Sequence, residues 1–179
     1  MTVLTKIETP LGTVIASSDG QSLTGLWFAG QKYECAFVEK PIWDDSLPLW
    51  KNVKHALEDY FQGVDDVTSS VPIEFVGGTA FQKAVWAVLT EIPYQTVWTY
   101  KDVAERVGEK LGRKTSSRAV GTAIGRNPIS LFVPCHRVVA TTGALTGYAG
   151  GVERKRALLT LEGHSVVKDR VMKGERHEA

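Results

Sequence analysis

The feature that most restricts the fold is a change of pattern at Gly77-Gly78. Before it, short apolar runs are separated by turn residues; after it, apolar residues recur at helical spacing. Thr2 to Thr9, Gly12 to Ser18 and Leu23 to Ala29 read as strands, parted by Pro10-Leu11-Gly12 and by Asp19-Gly20, a hairpin signal. Leu47 to Phe61 reads as a helix closed by Gly63, and Val71 to Val76 as another strand. The first half is therefore a small α/β unit. Trp27, Trp43 and Trp50 are expected in its core, and Cys35 with His55 supplies too few ligands for a metal site.

The charge changes sign at the same boundary. Residues 1–80 carry 5 Lys/Arg against 11 Asp/Glu, net −6, and residues 81–179 carry 16 against 9, net +7. Between Arg106 and Arg137 seven cations face Glu109 alone. Such a half predicts a polyanionic partner, against the plainer reading of two solvated faces. No apolar run has the length of a membrane span, and no basic-then-apolar leader opens the chain. Two cysteines in 179 residues do not make a disulfide framework, so a reducing cytoplasm is expected.

In the second half Thr79-x-x-Gln82 is a capping box for a helix that Pro93 ends. Val97-Trp98 is a short extended piece. Thr99-x-x-Asp102 opens a second helix, Tyr100 to Val107, with Tyr100 in its first turn. Gly108 to Thr115 is a basic connection, longer than the usual turn of a helix-turn-helix. Ser116 or Ser117 then caps a third helix running to about Gly125. That helix presents Ala119, Gly121, Thr122, Ala123 and Gly125 between Arg118 and Arg126. So small a surface packs on another helix or enters a nucleic-acid groove. Asn127-Pro128 stops it.

Ile129 to Val133 reads as a buried strand that Pro134 terminates, which puts Cys135 at the mouth of a buried element beside His136. A thiol there is either a partly ionised nucleophile or a small packed hydrophobe. Neighbours in an extended segment point to opposite faces, so Cys135 and His136 would need a bridging water. The glycine-dense loop Thr141 to Gly151, with Tyr148, would let backbone amides approach a flat ligand; it has no phosphate-loop pattern. The last helix, about Val152 to Leu161, places Glu162 at its negative end, where a cation such as His136 would compensate it. A frayed, exposed Glu162 is the alternative. His164 to Ala179 is charged, nearly aperiodic, and expected to be a loose tail.

Pro134-Cys135-His136-Arg137-Val138, preceded by Asn127-Pro128 and followed by Gly147-Tyr148-Ala149-Gly150-Gly151, resembles the methylated-DNA–protein-cysteine methyltransferases, the O6-alkylguanine-DNA alkyltransferases of direct repair. Gly78-Thr79-x-Phe81-Gln82, Thr99-Tyr100 and Arg118-Ala119-Val120-Gly121 fit as well. The match runs from about Gly77 to Gly163. The resemblance implies a ribonuclease-H-like α/β domain over 1–76, a mostly α domain with a winged-helix-like helix-turn-helix over 77–165, and a charged tail over 166–179. It implies that Cys135 takes the alkyl group of O6-alkylguanine, with O4-alkylthymine left open as a second substrate, irreversibly and once per molecule. His136 would accept the thiol proton through water, Glu162 would orient His136, and Tyr100 would donate to guanine N3. Arg118 would fill the gap left by a base flipped into the pocket, with Ser117, Ala119, Gly121, Thr122 and Arg126 along the minor groove. Asn127, Val138, Tyr148, Ala149 and Ile124 would line the pocket. The implied partner is double-stranded DNA carrying the lesion, met by a monomer with no membrane, metal or cofactor. The zinc ligands of some relatives are missing, and a transcription-activating, dual-domain version is not expected.

Two other functions fit parts of the pattern. A damage-flagging module binds the same DNA without transfer, but that class lacks the cysteine. A DNA-binding regulator with Cys135 as a redox switch would leave Glu162 and the glycine-rich loop without a purpose. An adjacent Cys-His pair is a poor hydrolase dyad.

Overall fold

The computed structural model describes residues 1–65 and 70–172. The chain forms two compact units: one of 1–78 with 128–132, the other of 79–127 with 133 onward.

The first unit is built on a four-stranded sheet. Strands β1 (Thr2–Thr9), β2 (Gly12–Ser18), β3 (Leu23–Phe28) and β4 (Pro41–Trp43) lie in the order β3-β2-β1-β4. β1, β2 and β3 pair antiparallel, whereas β4 joins β1 parallel. Every residue of β3 is buried, so both its faces are covered. Helix α1 (Leu49–Phe61) packs against β1, with Trp50 and Val53 buried. Trp27 is buried as expected, but Trp43 is 55% exposed and lies under the Lys6 ammonium. The short strand β4 carries no periodicity from which it could be predicted.

Two expected strands are single bridges here. The stretch 71–76 meets β3 only at Ile73–Leu23, and the stretch 129–133 only at Ile129–Leu26. Leu131 takes φ 70°, which breaks an extended run shortly before Pro134.

The second unit is mostly helical. It contains α2 (Ala80–Leu89), the two-residue strand β5 (Trp98–Thr99), α3 (Tyr100–Leu111), α4 (Ser117–Gly125), strand β6 (Val138–Val139), α5 (Val152–Leu161), and a hairpin of β7 (Val166–Val167) and β8 (Arg170–Val171). Thr79 and Thr99 cap α2 and α3 with complete capping boxes. Ser116 caps α4 by accepting from the Ala119 N–H at 3.0 Å. Helices α2, α3 and α4 pack on one another, and the Trp86 indole donates to the Ala123 carbonyl at 2.8 Å.

Helix α3 runs to Leu111, past the expected end at Val107, and stops at Gly112 in the left-handed conformation. The connection to α4 is therefore residues 112–116, shorter than the sequence suggests. A charged, apolar-poor last turn hides the helix; Val107 is its last buried residue. The segment after Gly163, expected to be loose, holds the β7–β8 hairpin; residues 173–179 lie outside the described ones. Among the described residues no helix is long and apolar enough to cross a membrane.

Candidate active site

Pro134 ends the preceding stretch, and the chain then makes a single 3-10 turn, Cys135–Arg137, rather than staying extended. The Cys135 N–H donates to the Val133 carbonyl at 2.8 Å and the Arg137 N–H to the Pro134 carbonyl at 3.0 Å. Successive side chains on such a turn diverge by about 120°, not 180°. The expectation that Cys135 and His136 point to opposite faces is thereby corrected. β6 comes directly after the turn and pairs parallel with β5, Trp98 opposite Val138 and Thr99 opposite Val139. This pairing ties the start of α3, where Tyr100 sits, to the chain that carries Cys135.

Cys135 is 7% exposed, and burial pushes its thiol above the usual value. The Asn127 carboxamide and the Lys155 ammonium oppose that shift without cancelling it. Of the two readings the sequence leaves open for this thiol, burial favours the protonated form over the ionised one. Asn127 also donates from Nδ2 to the Val133 carbonyl at 2.8 Å, which fastens the end of α4 to the residue two before Cys135.

Behind the thiol is a fully buried ionic group. His136 Nε2 lies 2.6 Å from Glu162 Oε2, with neither side chain exposed. Arg137 Nε donates to Glu162 Oε1 at 2.7 Å, Arg137 Nη2 to Oε2 at 3.3 Å, and Arg137 Nη1 to the Ile92 carbonyl at 2.8 Å. Burial alone would raise the Glu162 pKa, but His136 and Arg137 outweigh it and hold the carboxyl well below the usual range. An ionised carboxylate only accepts, so His136 Nε2 carries the hydrogen. Burial, against the pull of Glu162, keeps the imidazole below its ordinary pKa. The neutral ring then leaves Nδ1 as the basic nitrogen.

Glu162 does cap the C-terminus of α5, where a carboxylate opposes the helix dipole. The sequence points to His136 as its compensating cation. The permanent charge comes from Arg137, the next residue of the same motif.

Sequence reasoning misses Lys155 altogether. It is 1% exposed and donates from Nζ to the Val138 carbonyl at 2.5 Å and the Thr146 carbonyl at 3.0 Å. Burial, only partly opposed by Cys135, brings its pKa down to about 8. The signal that could have found it is its place on α5, three and four residues before the buried Leu158 and Leu159. A cation on the apolar stripe of a helix is seldom idle.

Tyr100 opens α3, and its hydroxyl donates to the Thr146 carbonyl at 2.9 Å. Burial is the main reason its pKa is raised. Thr146 thus receives both Tyr100 and Lys155. Tyr148 and Ala149, two and three residues on, are half-buried. Val138 is buried, its carbonyl already taking the Lys155 ammonium.

Of the α4 residues, Ser117, Arg118, Ala119 and Thr122 are exposed, as is Arg126 at its C-cap. Gly121 faces the other way: a Cβ there would lie 3.6 Å from the Tyr100 ring. Ile124 is buried on the inner face of the helix. His55 is on the surface beside Asp59, and Cys35 is half-buried in the first unit. Among the described residues no three potential metal ligands come together.

Both halves of the chain match known proteins. Residues 80–164 match the 6-O-methylguanine DNA methyltransferase DNA-binding domain, and residues 2–75 match the ribonuclease-like domain of the same proteins. The methylated-DNA–protein-cysteine methyltransferase of Haemophilus influenzae is 40% identical over 160 residues, covering 88% of this chain and 84% of its own. That of Methanosarcina acetivorans is 39% identical, covering 87% and 95%.

The chain belongs to the methylated-DNA–protein-cysteine methyltransferase family.

The solved structures agree. Mycobacterium tuberculosis OGT in complex with DNA superposes with a TM-score of 0.77 at 36% identity, covering 89% of this chain and 92% of its own. The O6-methylguanine-DNA methyltransferase of Pyrococcus kodakaraensis gives 0.61 at 27% identity, covering 91% and 99%. Methyltransferases of this family transfer an alkyl group from damaged DNA to a protein cysteine, which is direct repair. In this member the two cysteines are Cys35, in the ribonuclease-like half, and Cys135, beside the buried His136 and Glu162.

Proposed function

We propose that the chain binds double-stranded DNA containing O6-alkylguanine, flips that base out, and moves its alkyl group onto Cys135 once and irreversibly. The observation that carries this reading is the buried His136–Glu162–Arg137 group directly after Cys135. Its polarity suits the removal of a thiol proton.

The proposed sequence begins with the proton. His136 Nδ1 accepts the Cys135 proton through a water, and Glu162 stabilises the imidazolium that results. The thiolate attacks the alkyl carbon in line with the C–O6 bond. The S–C bond forms as the C–O6 bond breaks, and the electron pair passes into the guanine ring. Tyr100 leaves Thr146 and donates its proton to guanine N3, so that a neutral base departs. The phenolate regains a proton from solvent or from His136. The product is S-alkyl cysteine, with no hydride, metal or cofactor in the balance.

Binding is assigned to the outer face of α4. Ser117, Arg118, Ala119, Thr122 and Arg126 would lie along the minor groove, where small residues permit close approach and Arg118 fills the vacated stack. Asn127, Val138, Tyr148, Ala149 and Ile124 are proposed to shape the pocket, Gly121 to seat the Tyr100 ring, and residues 77–165 to hold all of the chemistry. A monomer in a reducing cytoplasm suits a single reactive thiol. The presence of Cys135 disfavours a module that only flags damage.

The test is Cys135→Ala. Transfer from duplex DNA carrying labelled O6-methylguanine should vanish while affinity for that duplex stays within about threefold. Labelled protein recovered from the variant would place the acceptor elsewhere.

A further inference from the structure

The hairpin after α5 is the part of the second unit to which the chemistry above gives no task. Its two turn residues, Lys168 and Asp169, have φ of 49° and 57°. That is the type I′ geometry of a two-residue hairpin, achieved here without glycine. β8 also pairs outward. The Leu145 N–H donates to the Asp169 carbonyl at 2.8 Å and the Val171 N–H to the Gly143 carbonyl at 2.9 Å, and Ala144 bridges Arg170 antiparallel. Residues 143–145 of the glycine-rich loop are in effect a third strand on the hairpin.

Side chains repeat the connection. Leu145 and Val171 share a buried cluster with Val97, Val139 and Leu159, and Val166 of β7 packs against it. Outside the cluster Arg156 of α5 donates to the Asp169 carboxylate from Nε at 2.9 Å and also from Nη2.

One residue beyond Leu145 is the Thr146 carbonyl that receives Tyr100 and Lys155. Next comes Gly147 at φ 67°, where a Cβ would lie 3.3 Å from the Tyr100 hydroxyl. The resting place of that hydroxyl is therefore set by a loop whose other edge is bonded to β8.

We propose that the β7–β8 hairpin is a clasp that holds residues 143–151 in place beside the pocket, and through Thr146 the resting position from which the Tyr100 hydroxyl turns to the base, with Leu145 and Val171 as positioning residues. The proposal rests on the reading of Tyr100 and this loop as parts of the pocket. A displacement of about 1 Å in a reacting group can cost about 10²-fold in rate, so a frayed clasp should be visible kinetically.

The experiment compares Lys168→Pro and Lys168→Gly in the full chain. Proline cannot adopt φ 49°, whereas glycine does so freely. Lys168 is exposed and lies outside the machinery assigned above. Amide hydrogen exchange across 141–151 is measured beside the transfer rate from O6-benzylguanine as the free base and from lesion-bearing duplex. Lys168→Pro should speed exchange at Leu145 and slow both transfers about tenfold or more, while Lys168→Gly matches the unaltered protein. DNA affinity should not move in either. Val171→Asp, which strikes the cluster instead of the turn, should repeat the Lys168→Pro result.

Fast exchange at Leu145 with unchanged transfer would overturn the clasp. So would slow exchange at Leu145 in both Lys168→Pro and Val171→Asp. Failure of the unaltered protein to react with either substrate would overturn the reading of the pocket itself, whatever residue stands at 168.

Discussion

His136 Nε2 and Glu162 Oε2 are 2.6 Å apart with neither side chain exposed, although 26 positions separate them in the chain. The helix that ends at Glu162 is thereby locked to the turn that bears Cys135. The contact also fixes the imidazole tautomer, and with it the nitrogen that faces proton transfer.

Glu162→Gln tests that role. An amide presents either an N–H or a carbonyl to His136 and supplies no charge to the imidazolium. Transfer should slow by about 10²-fold with the fold retained, as followed by single-turnover kinetics.

The same residue sets an acid limit to stability. The folded carboxyl titrates below its ordinary value of 4.5, so below that pH the unfolded chain binds more protons than the native one. The stabilisation is present above about 4.5 and is lost as pH falls through the folded value. Urea unfolding as a function of pH should show this acid limb in the unaltered protein and a shallower one in Glu162→Gln.

Arg137→Leu should prove more damaging to folding than to chemistry. Removing the guanidinium leaves a buried carboxylate beside a largely neutral histidine. Breaking a buried pair from one side costs about 3–5 kcal/mol, which urea midpoints would register. A loss below about 1 kcal/mol would mean that Glu162 is not held ionised by Arg137.

Much of this arrangement is legible in the sequence, and the limits are instructive. The capping boxes at Thr79 and Thr99 mark where α2 and α3 begin, because their geometry is local. Glu162 stands out because a carboxylate at a helix C-terminus needs a cation. Arg137 does not, since an arginine beside a histidine looks like ordinary basic charge, and only the tertiary fold brings it to Glu162. Lys155 is hidden among the neighbouring charges Glu153, Arg154 and Arg156. β4 and the β7–β8 hairpin escape because two- and three-residue strands have no period to detect, and Lys168-Asp169 lacks the glycine that advertises a type I′ turn.

Lys155→Met removes the buried ammonium that lowers the Cys135 pKa. The thiol should titrate higher than in the unaltered protein, measured as the pH dependence of iodoacetamide alkylation at Cys135. The lysine itself titrates at about 8 when folded against 10.5 when free, so the unfolded chain binds more protons between those values. Stability from this group should rise with pH across that window, and Lys155→Met should abolish the rise.

Arg118→Ala should separate base extrusion from chemistry. The exposed guanidinium does not belong to the buried group, so reaction with O6-benzylguanine should be unchanged. Repair of duplex should fall about tenfold or more, because a few kcal/mol of unstacking lose their compensation. Equal losses on both substrates would contradict the finger role.

The central claim is that Cys135 is the alkyl acceptor and is consumed in the act. Its most direct test is intact-protein and peptide mass spectrometry after incubation with duplex DNA containing one O6-methylguanine. The predicted result is a single added methyl, on the peptide that contains Cys135, in amount equal to the guanine restored. DNA binding with no gain in mass, or a methyl on the peptide containing Cys35, would contradict it.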